Sequence, residues 1–282
     1  MEVVREITSI SHDGYEQMWY PLYIENDLNC KFINCHQYEE GELLIRLIQS
    51  MFSTNNHSSN TTSDFLIDRM HSTSLNSLTQ CSMEFNTEKD KYLLARVFQG
   101  SYSIEVKLVS EKTRLVLFGQ NALNKLSKIT GPISIPGVKS YNSRSHVFKP
   151  DNEISRRSML EMTKRWSMIL GYVEEVNYRL SAVGVWAFFE SKRKQYYRGD
   201  STQPSIVLLL STLAQAAIRT RKFGYCPAII CSVNIEKLNQ SEIISLVDLV
   251  SQICLEERLS IIITTHLPMR IDSKCIANTS TM

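Results

Sequence analysis

Residues 227–268, PAIICSVNIEKLNQSEIISLVDLVSQICLEERLSIIITTHLP, decide how the chain is read. Pro227–Val233 is an apolar run of strand length. Asn239, with Glu242 three residues on, has the pattern of a capping box, in which each residue's side chain accepts from the other's backbone N–H. Beyond it Ile243, Leu246, Val247, Val250, Ile253 and Cys254 keep one face of a helix. Leu259–Thr265 is dense in β-branched residues and reads as a second strand. Two apolar strands joined by one amphipathic helix make a βαβ unit, and such a crossover goes with parallel pairing. The expectation is an α/β fold whose sheet is mostly parallel and flanked by helices.

Working outward, residues 206–222 predict a mostly buried helix ending at Gly224, a residue suited to a C-terminal cap. Lys31–His36 and Glu39–Phe52 predict a strand, a short loop and a helix. Residues 102–109 alternate and 113–118 run apolar, which predicts paired strands. Residues 155–195 read as mostly helical. Residues 53–63, STNNHSSNTTS, hold only small polar side chains and one His, and read as a surface loop. Thr130–Asp151, with three prolines and two glycines, reads as an irregular basic linker. The domain expectation is an acidic α/β region over 1–129, that linker over 130–151, and a basic helical segment with the βαβ unit over 152–282.

The chain has 282 residues, 43% hydrophobic and 21% charged, which excludes wholesale disorder and fibrous classes. Its formal charge of +2 conceals a segregation. Residues 1–90 carry 5 basic and 14 acidic groups, whereas 139–222 carry 15 basic and 7 acidic. No apolar run approaches the about 18 residues of a membrane span, and the first residues lack the apolar core of a signal peptide. The seven cysteines are odd in number and sit in apolar contexts. These features together point to an intracellular protein without a membrane partner. The Cys30/Cys35 pair beside His36 and the Cys226/Cys231 pair offer soft ligands, but zinc cysteines usually sit in loops and these bracket or occupy predicted strands, so they read as buried structural cysteines. His266, Asp272, Glu256 and Glu257 lack an accompanying nucleophile motif, and no catalytic residue is assigned.

The 227–268 run resembles the second half of a P-loop ATPase core of the ABC, SMC and RecA-like groups. In those families a strand ends in the Walker B acid, a helix crosses back, and the next strand ends in a polar residue that senses the γ-phosphate. The resemblance implies that Thr264, Thr265 and His266 occupy the sensing position. It places Walker B at Ser232–Asn234, where no carboxylate stands to hold Mg²⁺ or orient water. The phosphate-loop pattern G-x-x-x-x-G-K-[ST] is approached at 115–128, LVLFGQNALNKLSK, with Gly119 and Lys125 correctly spaced after an apolar strand. Asn124 replaces the second Gly and Leu126 the hydroxyl residue, with Ser127 one place on. Candidate nucleotide contacts are therefore Gly119, Lys125, Ser127 and His266, for ATP with Mg²⁺ if any cofactor binds, and the damaged motifs imply a pseudo-ATPase.

The basic region supplies candidate nucleic-acid contacts: Arg156, Arg157, Lys164, Arg165, Lys192, Arg193, Lys194, Arg198, Arg219, Arg221 and Lys222. Aromatic residues such as Trp166, Trp186 and Tyr196 lie among them, a composition that suits stacking on bases and equally suits ordinary helix cores. The leading expectation is a non-catalytic subunit of a nucleic-acid-handling assembly, for example in DNA repair or recombination. Residues 139–222 would contact nucleic acid and the acidic N-terminal region a protein partner. Two alternatives stay open: a structural RNA-binding protein of nucleocapsid type, and a divergent but active nucleotide-hydrolysing enzyme.

Overall fold

The computed structural model describes residues 2–13, 24–25, 30–35, 38–54, 78–99, 102–135, 161–162, 164–166, 168, 204–236, 238–267 and 276–278. In chain order the elements begin with β1 (Glu2–Asp13), β2 (Ile24–Glu25), β3 (Cys30–Cys35) and α1 (Tyr38–Met51). There follow β4 (Leu78–Thr87), β5 (Lys91–Gln99), β6 (Tyr102–Ser110), β7 (Val116–Phe118), α2 (Gly119–Leu126), β8 (Ile129–Thr130) and β9 (Ile133–Ile135). The last are α3 (Pro204–Phe223), β10 (Ile229–Ser232), α4 (Gln240–Glu257), β11 (Ile261–His266) and β12 (Ile276–Asn278).

The chain divides into two compact units, one of Met1–Asp27 with Leu43–Pro132 and one of Leu28–Glu42 with Ile133–Met282. In the first, a seven-stranded sheet runs β2-β1-β4-β5-β6-β7, with β8 beside β1. All its neighbours pair antiparallel except β8 with β1. This corrects the expectation of a mostly parallel sheet. The cause is local, because β4 and β5 alternate with period two and are joined by a tight turn. β4 buries Thr79, Cys81, Met83 and Phe85, and β5 buries Tyr92, Leu94, Arg96 and Phe98. Phe85 lies opposite Tyr92 and Met83 opposite Leu94, so the two buried rows coincide. Thr87 closes the turn: its hydroxyl accepts from the amides of Lys89 and Asp90 at 3.2 and 3.1 Å, and its own amide donates to the Asp90 carbonyl at 2.8 Å. The expected strand pair at 102–118 forms as β6 and β7.

The second unit holds a five-stranded sheet in the order β12-β3-β11-β10-β9, with every pair parallel. Here the βαβ reading holds. β10 and β11 pair from Ile229 opposite Ile261 to Ser232 opposite Thr264, and α4 connects them. The Asn239 side chain accepts from the Glu242 amide at 3.0 Å, and the Asn239 amide donates to the Glu242 carboxylate at 2.7 Å, completing the capping box. α3 ends as read, with Gly224 at φ +78° donating to the Thr220 carbonyl at 2.7 Å, a left-handed turn that glycine adopts without strain. Ile133–Ile135, inside the stretch read as irregular, instead forms β9 against β10, too short a run to stand out among prolines. The core packs α3 and α4 with Trp166 and Met162 against Phe32, Ile229, Cys231, Ile261 and Ile263. Trp166 is thus a core residue. Most of the loop over 53–63, the rest of the linker over 136–151 and most of the helical reading over 155–195 lie outside the described residues. No described helix is long and apolar enough to cross a membrane.

Candidate functional site

An open parallel sheet places ligands outside the carboxyl ends of its strands, where the chain's connections diverge to opposite sides. In the second unit that point is β3, which has β12 on one side and β11 on the other. β3 leads through His36 and Gln37 into α1, so the strand, short connection and helix that a phosphate loop requires lie at Cys35–Leu43. The phosphate-loop spacing falls at Gly119–Lys125, whereas the strand-to-helix order at the edge of the parallel sheet occurs here. Counted from β3, His36 stands at the first Gly position, Gly41 at the second, Glu42 at the Lys and Leu43 at the hydroxyl residue. The sequence signal was available, since a glycine sits in the first turn of the helix that follows the N-terminal strand of the parallel sheet.

Polar side chains gather at this edge. Asn34 and Thr264, both buried, lie opposite Thr265 and Ile33 in the β3–β11 pairing. The Leu267 amide donates to Asn34 Oδ1 at 3.0 Å. His266 Nδ1 lies 3.1 Å from the Cys35 carbonyl oxygen, which can only accept, so Nδ1 carries the proton. Thr264 Oγ1 donates to the Cys231 carbonyl at 3.5 Å. A Cβ added to Gly41 would stand 2.8 Å from Thr264 Oγ1 and 2.9 Å from Thr264 Cβ, closer than side chains approach. The first turn of α1 therefore rests directly on β11. At the end of β10 come Ser232, Val233 and Asn234, and Asn234 Oδ1 accepts from the Glu236 amide at 3.2 Å.

These residues do not fit ATP with Mg²⁺. A phosphate site needs a cation where Glu42 stands, a hydroxyl where Leu43 stands, and a metal-holding carboxylate near Ser232–Asn234. Glu42, near the start of α1, instead brings negative charge towards the positive end of the helix dipole and opposes a polyphosphate.

Gly119, Lys125 and Ser127 belong to the first unit and His266 to the second. β7 runs straight into α2, so Gly119 opens a helix and Lys125 lies in its last turn, with no loop between to wrap a phosphate. Lys125 Nζ is held by Glu2 at 2.8 Å, and Ser127 Oγ donates to the Asn124 carbonyl at 2.9 Å. Burial pushes the Glu2 carboxyl up, but hydrogen bonds from Lys125, Thr87 and Tyr92 outweigh it and hold it below its ordinary range. The bond to Glu2 in turn raises Lys125.

Of the basic candidates, Arg156, Arg157, Lys192, Arg193, Lys194 and Arg198 lie outside the described residues. Arg165 and Arg221 converge on Glu257, whose side chain is only 2% exposed. Arg221 grips that carboxylate with Nε and Nη2, each at 2.9 Å, while Arg165 Nε reaches it at 3.2 Å and Arg165 Nη2 reaches Glu256 at 2.7 Å. Trp166 Nε1 donates to the same Glu257 at 3.3 Å. These two arginines therefore join α3, α4 and the helical residues around Trp166, while their exposed parts remain open to water. Lys222 is exposed, with its ammonium 5.1 Å from the Phe223 ring centre. Cys30, Cys35, Cys226 and Cys231 are buried free thiols, and burial drives the Cys231 thiol well above its usual range.

No protein family and no curated protein matches this sequence. Among solved structures, the SMC head bound to the C-winged helix domain of ScpA is similar over 98% of this chain and 94% of that one, at 13% identity and a TM-score of 0.50. The fold is similar to that of an SMC head. Two structures of the recombination mediator RecF, in the forms named RecF-ATPrS and RecF-ATP, are similar over 98% of this chain and 97% of theirs. Their TM-scores are 0.47 and 0.44, and their identities 9% and 10%. The likeness to the SMC head agrees with the P-loop ATPase resemblance read from residues 227–268 at the level of fold.

Proposed function

We propose that this chain is a non-catalytic, ATPase-head-like subunit of a nucleic-acid-handling assembly of the repair or recombination kind. The observation that carries the reading is the carboxyl edge of the parallel sheet, where Glu42, Leu43 and Ser232–Asn234 stand in place of the groups that hold and hydrolyse a nucleotide. Fold likeness to an SMC head supplies the context by analogy, and that head is itself a protein-bound module. The basic 139–222 region contacts phosphates in this reading, with Lys164, Lys222 and the exposed parts of Arg165 and Arg221 adding to Lys192, Arg193 and Lys194. The acidic first ninety residues face a protein partner.

The test is a salt titration of nucleic-acid binding by the full chain and by the variant Lys192→Glu/Arg193→Glu/Lys194→Glu. Each phosphate contact contributes about 0.7 to 0.9 to the slope of log K against log salt, so losing three should flatten that slope by roughly 2 to 3. Unchanged affinity and slope would remove the nucleic-acid role. Phosphate release by the purified chain that depends on Mg²⁺ would remove the non-catalytic one.

A further inference from the structure

We infer that the carboxyl edge of the parallel sheet is a stapled edge, closed to nucleoside triphosphates, in which contacts within the protein do what a bound nucleotide does in an active head. The inference deepens the proposed function and rests on its non-catalytic part. Three contacts make the staple. Gly41 seats the first turn of α1 on Thr264 with no room for a Cβ. His266 Nδ1–H joins the end of β11 to the Cys35 carbonyl at the end of β3. The Leu267 amide joins the next residue of the same strand end to Asn34. Each engages a group that would otherwise be offered to a ligand: the helix start, the His at the sensing position, and a buried amide side chain. Glu42 stands where a phosphate loop carries its Lys, and a carboxylate there has the wrong sign for polyphosphate. The pieces are mutually consistent, because one strand end, Thr264–Leu267, takes part in all three contacts.

The consequence is that this chain has one state with respect to nucleotide. ATP-driven heads change their contacts when the γ-phosphate arrives, and a ligand shifts a conformational equilibrium only by its differential affinity for the two states. A chain that does not bind the nucleotide cannot be shifted by it, so its partner and nucleic-acid contacts are constitutive.

The experiment uses the full chain and 8-azido-ATP with Mg²⁺, followed by peptide mapping. The expected result is no labelling of the peptides containing Asn34–Leu43 or Thr264–Pro268 that unlabelled ATP competes away. Competable labelling there overturns the inference. The second measurement is thermal stability of His266→Ala, in which the bond to Cys35 is lost. A lowered midpoint, together with no added stabilisation by Mg-ATP in either protein, supports the staple; an unchanged midpoint overturns it. Nucleic-acid affinity measured with and without ATP separates the two claims. A several-fold change on adding ATP overturns the stapled edge and leaves nucleic-acid binding standing, whereas absent binding in both conditions defeats the nucleic-acid reading and leaves the edge as described.

Discussion

The antiparallel sheet of the first unit and the parallel sheet of the second bury polar groups in different places. In the antiparallel sheet they lie along the strands: Arg96 sits in the middle of β5, and Glu2 opens β1 against Thr87, Tyr92 and Lys125. In the parallel sheet the strand interiors are apolar, and Asn34, Thr264, Thr265 and His266 collect at the carboxyl ends. The location of a polar residue thus separates two roles that its identity does not. A Lys in the first unit completes an ion pair, whereas the corresponding position of a phosphate loop in the second unit carries Glu42. The glycine–lysine spacing of a phosphate loop falls at Gly119–Lys125 in the first unit, whereas the strand-to-helix passage at the edge of the parallel sheet falls at Cys35–Leu43.

Arg96 gives the sharpest way to break that comparison. Its guanidinium, buried and pushed down to about 10 by that burial, stays charged at neutral pH and donates to the carbonyls of Ser50 and, at 2.8 Å, Ser53. It therefore receives the negative end of α1. Arg96→Met should cost about 2–4 kcal/mol in urea unfolding, since two charge-assisted bonds are lost and buried carbonyls are left bare. A neutral or stabilising result, as hydrophobic replacement of buried charges sometimes gives, would mean that the antiparallel sheet tolerates this charge rather than depending on it. Next in size is Gly41→Ala, where overpacking against Thr264 should cost about 1–3 kcal/mol. Adding Thr264→Gly, which removes both the Oγ1 and the Cβ that the new methyl meets, should make the double variant less costly than the sum of the two singles, and additivity would deny the close approach.

The parallel half of the fold was legible because its strands are buried on both faces and so appear as uninterrupted apolar runs, as in Ile261–Ile263, while α4 announces itself by its cap. The antiparallel half was less legible. β4 interleaves Gln80, Ser82 and Glu84 with buried Cys81, Met83 and Phe85, a pattern that only alternation reveals. β9 is three residues long beside Pro132 and Pro136, and sequence alone offers no reason to pair it. At the candidate site, the carboxyl ends of β10 and β11, and with them Ser232 and His266, could be placed from the βαβ run. The strand-to-helix passage at Cys35–Leu43 is marked in the sequence only by Gly41, and it is the pairing of β3 with β11 that brings it to the same edge.

The polar cluster at the start of β1 predicts acid sensitivity confined to the first unit. Since the Glu2 carboxyl titrates below its ordinary 4.5 when folded, its contribution is fully present above that value and is lost as pH falls through the lowered one. Glu2→Gln should remove this part of the decline below pH 4.5 in a stability profile. On the alkaline side the raised Lys125 contributes below 10.5 and loses that contribution as pH rises through its folded value, so Lys125→Met should flatten the alkaline limb and leave the slope near His titration unchanged.

The smallest effect expected lies in the second unit and tests whether its legibility has an energetic counterpart. Asn239→Ala removes an acceptor for one orphan amide at the start of α4 and should cost about 1 kcal/mol, while Asn239→Ser, which can still accept from the Glu242 amide, should cost only a few tenths. The same pair of substitutions has no counterpart at α2, where Phe118 precedes the first turn and supplies no side-chain cap. That helix is instead fixed by Ala122, Leu123 and Leu126 in the core and by Lys125 on Glu2. If Asn239→Ala proved silent, α4 would be held as α2 is, by packing, and the capping box that identifies the βαβ unit in the sequence would mark the helix without stabilising it.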